Sequence, residues 1–225
     1  MLPKTSPKTI LCYGDSNTYG LVPGSLNPAT GYHERYPRKI RWSGKLQQLL
    51  GAGYWVIEEG LCARTTNIDY PEDTYDSNRN GLAYLESCLY SHAPVDTVIL
   101  FLGINDLKAM FNRTPEAIAE GMGILVKKIQ QFNLGESFSK PPKIMIIGYP
   151  PILEVEPYIT VFAGATQKSR ELPRYFQALA EQYGCFYIDA VSRLQFDPAD
   201  GCHLDAENHV KLAEIVYESS LGSWG

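Results

Sequence analysis

The sequence predicts an α/β protein with three layers, α/β/α, around a five-stranded parallel sheet. Short apolar runs, each closed by Gly, Pro or Asp, alternate along the chain with longer amphipathic segments. Strands that alternate with helices form right-handed βαβ units, which place helices on both faces of a parallel sheet. A chain of 225 residues also suffices for one large core, so we treat residues 1–225 as a single domain.

The elements can be placed in chain order. The predicted strands are the short apolar runs, at residues 9–13, 54–57, 95–102, 143–147 and 185–188. The predicted helices are the longer segments, at residues 40–50, 81–90, 115–132, 166–183 and 206–221. Thr114 is a suitable N-cap for the third helix, and Pro173 is a candidate kink in the fourth. This layering is flavodoxin-like.

One long segment, residues 21–41, has no periodic pattern and is rich in Pro, Gly and Tyr. Loops of this length are uncommon in compact domains and are often functional. We therefore expect this segment to form a wall of a binding site.

Charge and composition exclude several classes of protein. The net charge of −5 argues against nucleic acid as a partner, because nucleic-acid-binding proteins display clustered Lys and Arg. No run approaches the ~18 apolar residues of a membrane span, and the first ten residues lack the apolar core of a secretory signal, so we expect a cytoplasmic protein without membrane contact. The five cysteines are scattered and odd in number, which favours free thiols over disulfides or a zinc site. Assembly into a homo-oligomer stays open.

Four short polar segments stand out, at residues 14–17, 60–64, 103–106 and 200–203. The first three follow the first three predicted strands, and the fourth comes just before the last helix. Ligands of open parallel sheets bind beyond the carboxyl ends of the strands. Taken singly, each segment has a structural explanation, because Asp, Ser and Asn are favoured helix N-caps and Gly suits tight turns.

In combination, the segments offer every group that acyl transfer needs. The reaction requires a hydroxyl nucleophile, a base, an acid that orients the base, and donors for the oxyanion. Ser16 can supply the hydroxyl and His203 the base. Asp200 precedes His203 by three residues, so one helical turn directs both side chains the same way. The combination predicts a serine hydrolase.

The same segments resemble the motifs of the SGNH hydrolases, also called the GDSL esterase and lipase family. Gly-Asp-Ser at 14–16, Gly-x-Asn-Asp at 103–106 and Asp-x-x-His at 200–203 occur in the family's order. The resemblance implies that Ser16 is the nucleophile and that Asp200 and His203 are its partners. It also implies an oxyanion hole made by the backbone N–H groups of Ser16 and Ala63 and by the Asn105 side chain.

Residues 41–44 and 56–66 resemble the arylesterase and acyltransferase branch of that family. Two positions depart from the common pattern. Asn17 stands where many members have Leu, and it is expected to alter the mouth of the pocket or to cap the next helix. Ala63 stands where many members have the oxyanion Gly, but it keeps the N–H group.

The resemblance implies a serine esterase that hydrolyses short-chain, acetyl-type esters of small molecules through an acyl-enzyme, with acyl transfer to alcohols as a second activity. No cofactor and no metal are expected. One alternative is a carbohydrate acetylesterase of the same family, because Tyr32, Tyr36 and Trp42 could stack on sugar rings. The other is a flavodoxin-like binding module, in which the turn after the first strand holds a phosphate without chemistry.

Other reactive side chains are weaker candidates. Cys62 and Cys202 could act as thiol nucleophiles, but Cys202 would have to turn back onto the next residue, which favours a pocket-lining role. Three histidines remain: His33, His92 and His209. None has a carboxylate residue at a sequence spacing that would indicate a catalytic pair, and His209 is expected to be exposed on its helix.

Overall fold

The computed structural model describes residues 6–27, 29–72 and 77–220. Its five strands form one parallel sheet in the order β2-β1-β3-β4-β5. The strands are β1 Lys8–Gly14, β2 Tyr54–Gly60, β3 Thr97–Phe101, β4 Lys143–Ile147 and β5 Phe186–Ile188. The order reverses between β1 and β3, which is where ligands bind in sheets of this topology. The α/β fold and the five parallel strands are as predicted.

The strand β3 shows why the sheet is the middle layer. All five of its residues, Thr97–Phe101, are buried. Successive side chains of a strand point to opposite faces, so both faces of the sheet must be covered. On β1, which pairs with β2 on one side and β3 on the other, burial likewise runs continuously from Ile10 to Gly14.

Six α-helices cover the sheet. They are α1 Ser16–Tyr19, α2 Trp42–Leu50, α3 Gly81–His92, α4 Pro115–Gln130, α5 Ala165–Tyr183 and α6 Ala206–Ser220. Among them, α2 packs against α6, whereas α4 packs against α3 and α5. No helix in the described part of the chain is long and apolar enough to cross a membrane.

The predicted bounds differ from the structure mainly at the ends of elements. The third strand, Thr97–Phe101, is shorter than predicted at both ends, although Asp96 just before it still bonds to the neighbouring segments through its backbone and accepts the N–H of Thr9 with its carboxylate. The four-residue α1 is too short for a periodic pattern to reveal. Thr114 caps α4 as predicted, and α5 continues through Pro173. The predicted end of the last helix, residue 221, lies outside the described residues.

Candidate active site

Three side chains form a continuous hydrogen-bonded chain at the carboxyl edge of the sheet. The Ser16 Oγ lies 2.9 Å from Nε2 of His203, and Nδ1 of His203 lies 2.8 Å from Oδ2 of Asp200. All three residues are buried, but Ser16 and His203 keep 5% and 7% of their surface exposed. The Ser16 hydroxyl and the His203 imidazole therefore keep some exposed surface, whereas the Asp200 carboxylate lies behind them.

The turn that presents Ser16 depends on Gly14, the last residue of β1. A Cβ atom at this position would lie 2.1 Å from Oγ1 of Thr18 and 2.9 Å from the carbonyl oxygen of Phe101, so only glycine fits. Asp15 follows and caps α1, because its Oδ1 accepts the N–H of Asn17 at 2.9 Å. The strand thus ends in a tight turn that places Ser16 at the start of a helix.

Asp200 is held in its ionised form by several donors. Its Oδ2 accepts the N–H of Gly24, and its Oδ1 accepts the N–H groups of Cys202 and His203. Burial opposes ionisation, but the hydrogen bonds from the His203 ring and from these N–H groups outweigh it and lower the pKa of Asp200. Gly24 belongs to the long segment 21–41, so that segment does contact the site, through the acid.

The carboxylate of Asp200 influences the pKa of the His203 imidazole. Burial by itself would lower this pKa, but the Asp200 carboxylate, hydrogen-bonded to Nδ1, acts in the opposite direction and raises it. In a reaction that protonates His203, the imidazolium would thus be stabilised and its orientation fixed.

Asn17 links the turn that carries Ser16 to the segment that carries His203. Its Nδ2 donates to the carbonyl oxygen of Cys202 at 3.1 Å, and its Oδ1 accepts the N–H of Leu204 at 2.9 Å. The side chain is almost fully buried, with 1% exposed. The sequence suggested that Asn17 alters the mouth of the pocket or caps a helix. In the structure it does neither, and its side chain instead hydrogen-bonds to the backbone on both sides of His203.

The expected oxyanion donors lie on the turn that carries Ser16 and on the loops that follow β2 and β3. The Asn105 Nδ2 donates to the carbonyl oxygen of Arg64 at 3.2 Å, which places Asn105 against the loop that contains Ala63. Among the residues that the structure describes, the backbone N–H groups of Ser16 and Ala63 have no acceptor. Ala63 has φ of 63°, a left-handed conformation that glycine adopts at lower cost, which explains why glycine suits this position.

Asp106, the neighbour of Asn105, belongs to a second polar cluster. Its Oδ1 lies 2.7 Å from Arg113 Nη1 and accepts the Thr66 hydroxyl at 2.5 Å, while Oδ2 accepts the Thr66 N–H at 2.9 Å. Arg113 also donates to the carbonyl oxygen of Ala117. The cluster ties the loop after β2 to the loop after β3, and so fixes the position of Asn105.

Sequence reasoning was wrong about His209, which was expected to be exposed, and it could not reveal the partner of His92. His209 is completely buried on α6, where its Nδ1 accepts the N–H of Trp42 at 3.3 Å, and burial lowers its pKa to about 3. His92 has a carboxylate partner, Glu59, at 2.8 Å. The partner comes from β2, so no local spacing could reveal it. His33 lies 3.8 Å from the Cys62 sulfur.

Within the described residues, the five cysteines are free thiols, as predicted. In the part of the chain that the structure describes, two groups of side chains come close enough to share a cation: Glu59 with Cys88 and His92, and Asp200 with Cys202 and His203. The second group is occupied by the hydrogen bonds to Ser16. In the first group, Glu59 and His92 already pair with each other.

Comparison with known proteins agrees with this geometry. Residues 12–211 match the family described as GDSL-like lipase/acylhydrolase. The native aryl esterase of M. smegmatis is 41% identical, with a TM-score of 0.87 over 96% of this chain and 99% of that chain. A carbohydrate acetylesterase from Sinorhizobium meliloti is 38% identical, with a TM-score of 0.86 over 96% and 99% of the two chains. A search of curated proteins finds no match.

The fold and the site define an esterase of the α/β/α class. The chain belongs to the GDSL-like lipase/acylhydrolase family, the SGNH hydrolases, and is a carboxylic ester hydrolase.

Proposed function

We propose that the protein hydrolyses short-chain, acetyl-type esters through an acyl-enzyme on Ser16. The observation that carries this proposal is the chain of hydrogen bonds from Ser16 through His203 to Asp200, with distances of 2.9 and 2.8 Å. A nucleophile that contacts a base, which in turn contacts an orienting acid, is the arrangement that serine hydrolases need.

The proposed reaction has two steps. The Ser16 oxygen attacks the ester carbonyl while His203 takes its proton, and the negative charge on the carbonyl oxygen is met by the N–H groups of Ser16 and Ala63 and by the Asn105 side chain. His203 then gives the proton to the departing alcohol, which leaves an acyl group on Ser16. Water, activated by His203, hydrolyses this ester and restores the hydroxyl. Asp200 stays ionised throughout.

The recessed position of Ser16 supports small acyl groups. Only 5% of the residue is exposed, so the acyl chain must enter a confined space beside the imidazole. Tyr158 lies close to the imidazole, since its ring centroid is 6.2 Å from that of His203, and we propose that it limits the size of the acyl group.

Acyl transfer to an alcohol is a second proposed activity of the same acyl-enzyme. The support for this activity is the resemblance of residues 41–44 and 56–66 to the arylesterase and acyltransferase branch of the family. In buffer with added alcohol, we expect ester exchange besides hydrolysis, and free acid as the sole product would contradict acyl transfer.

The structure gives less support to the alternative that the protein is a carbohydrate acetylesterase. Trp42 is completely buried and its indole N–H donates to Thr18, so it cannot stack on a sugar. Tyr36 is half-buried against His209, and Tyr32 alone of the three aromatic residues is well exposed. The binding-module alternative gains nothing, because it requires no contact between Ser16 and His203.

A fluorophosphonate probe tests the proposed nucleophile. We expect one equivalent of label, located on Ser16 by peptide mapping, and none on Ser16→Ala. A suitable control is Ser25→Ala, since the Ser25 hydroxyl bonds to the carbonyl oxygen of Val22 and has no histidine partner. Wild-type protein that stays unlabelled, or Ser16→Ala that still takes up label, would contradict the proposal.

A further inference from the structure

Asp15, the residue before the nucleophile, has an unusual environment for a carboxyl group. It is completely buried, and no Lys or Arg in the described part of the chain pairs with it. Its Oδ1 accepts the N–H of Asn17, and its Oδ2 lies 2.5 Å from the hydroxyl oxygen of Tyr149. A carboxylate that is buried without a cation carries a large desolvation cost, which protonation removes.

A count of hydrogens at Tyr149 shows where a proton must be. The hydroxyl oxygen lies 2.5 Å from Oδ2 of Asp15 and 2.6 Å from the carbonyl oxygen of Phe101. Each of these short contacts between oxygens needs a hydrogen, and a tyrosine hydroxyl has only one. A carbonyl oxygen cannot donate, so Tyr149 donates to Phe101. The hydrogen in the other contact must then come from Asp15.

Asp106 provides the contrast within the same protein. It is also completely buried, but each of its contacts brings its own hydrogen: the N–H and O–H of Thr66 and the guanidinium of Arg113. Asp106 can therefore stay a carboxylate, whereas the partners of Asp15 leave one contact without a hydrogen.

We propose that Asp15 is a neutral carboxylic acid in the active enzyme, donates its proton to Tyr149, and acts as a positioning residue for Ser16. The Tyr149 ring stacks on Phe101 with 4.1 Å between centroids, which holds the hydroxyl in place to accept this proton. The acid in turn holds the N–H of Asn17 and thus the turn that carries Ser16. Burial raises the pKa of Asp15 to about 6 although its hydrogen bonds and His203 act in the opposite direction, so the shift has the same direction as the hydrogen count.

Neutrality of Asp15 matters for the proposed esterase reaction, on which this part of the inference rests. Negative charge develops on the substrate beside Ser16, and a carboxylate on the preceding residue would oppose it. The other titratable groups that face Asp15 or Tyr149 are His203, Cys202 and Asp106. With Asp15 neutral, Asp200 is the carboxylate that stabilises the imidazolium.

Infrared spectroscopy of the whole protein tests the protonation state without reference to activity. A protonated carboxylic acid has a carbonyl stretch above the amide band, which a carboxylate lacks. At the pH of maximal activity we expect this band in protein labelled with ¹³C-aspartate, shifted relative to unlabelled protein, and we expect it to be absent from Asp15→Asn. It should persist in Asp106→Asn, the matched control. A wild-type spectrum without the band, or a band that disappears only in Asp106→Asn, would overturn the proposal.

Kinetics of two variants tests the positioning role. Asn keeps a donor for Tyr149 and an acceptor for Asn17, so Asp15→Asn should keep kcat within ~3-fold of wild type, whereas Asp15→Ala should lose ~10²-fold, comparable to the loss of a preorganised donor. A loss in Asp15→Asn as large as that in Asp15→Ala, in protein that unfolds at the wild-type temperature, would show that the enzyme needs the carboxylate. Labelling of Ser16 in the wild-type protein by fluorophosphonate reports on the proposed function separately, because it detects the nucleophile and not the protonation state of Asp15.

Discussion

Two buried polar clusters stand side by side at the carboxyl edge of the sheet, and they differ in what they leave unpaired. In the cluster around Asp106, carboxylate oxygens meet the hydrogens of Thr66 and Arg113. In the cluster around His203, the imidazole is paired on both sides, but the N–H of Ser16 has no acceptor among the described residues.

The difference distinguishes a cluster that stabilises the loops from a cluster that is available to react with a substrate. A closed network rigidifies the loops that it joins, and removal of one member leaves a buried charge or donor without a partner. A reacting set must instead keep groups available to the substrate and to its transition state. We therefore expect mutations in the Asp106 cluster to act mainly on stability, and mutations in the Ser16 and His203 cluster to act mainly on kcat.

The largest effect is expected for the reacting cluster. Ser16→Ala and His203→Ala should each reduce kcat by ~10⁴-fold to 10⁶-fold, because nucleophile and base act as one unit. For the same reason, the double variant should be little worse than either single variant. Steady-state kinetics on a p-nitrophenyl ester measures all three. A double variant whose loss equals the product of the single losses would indicate that the two residues act independently.

The Asp106 cluster should respond in the opposite sense. Arg113→Met leaves the buried carboxylate of Asp106 without its cation and should lower the free energy of unfolding by ~3 kcal/mol or more. The kcat of the folded fraction should change far less than in Ser16→Ala. Urea denaturation measures the stability. The control is Arg174→Met, which removes an exposed, solvent-screened pair with Glu171 and should change the free energy of unfolding far less. Equal losses in the two variants would contradict the assigned role of the cluster.

Asn105 lies between the two clusters and sharpens the comparison. If Asn105 is an oxyanion donor, the substitution Asn105→Ala should lower kcat by ~10²-fold to 10³-fold, with little change in KM. Ala63→Gly is the matched variant, since it keeps the N–H group and relieves the left-handed strain at φ of 63°, and it should retain most activity. If Ala63→Gly lost as much activity as Asn105→Ala in folded protein, the backbone N–H would not be the group that matters at position 63.

A smaller loss than that of Asn105→Ala is expected at Asn17, which supports the Ser16 and His203 cluster without taking part in the proposed reaction. Asn17→Leu restores the residue common in the family but removes both bonds to the backbone around His203. We expect kcat to fall by ~10-fold, since a positioning contact contributes less than a transition-state donor. Fluorophosphonate labelling should slow in parallel. Full activity of Asn17→Leu would show that the two hydrogen bonds of Asn17 do not position His203.

The sequence predicted the fold well because its signals are local. Apolar runs closed by Gly or Asp mark the strands, and the five strands and their parallel arrangement followed from that pattern. Errors occurred where tertiary contacts decide. The third strand lost residues at both ends, and α2 began at Trp42 rather than two residues earlier.

The site was predictable only in part, for a related reason. Ser16, Asp200 and His203 have motif neighbours that reveal them, and the structure brings them within hydrogen-bond distance of one another. The partners of Asp15 and Asn17 lie more than 130 residues away in sequence, at Tyr149 and around His203, so no spacing rule could show them. The departure at Asn17 from the family pattern was the one available signal.

The central claim is that Ser16 becomes acylated, and a slow-deacylating substrate tests it most directly. Treatment with p-nitrophenyl dimethylcarbamate should release one equivalent of p-nitrophenol, and intact-mass and peptide analysis should find the carbamoyl group on Ser16. His203→Ala should react far more slowly, because its serine has no base. Modification at Cys62 or Cys202 in place of Ser16, or p-nitrophenol release without any adduct, would contradict the account.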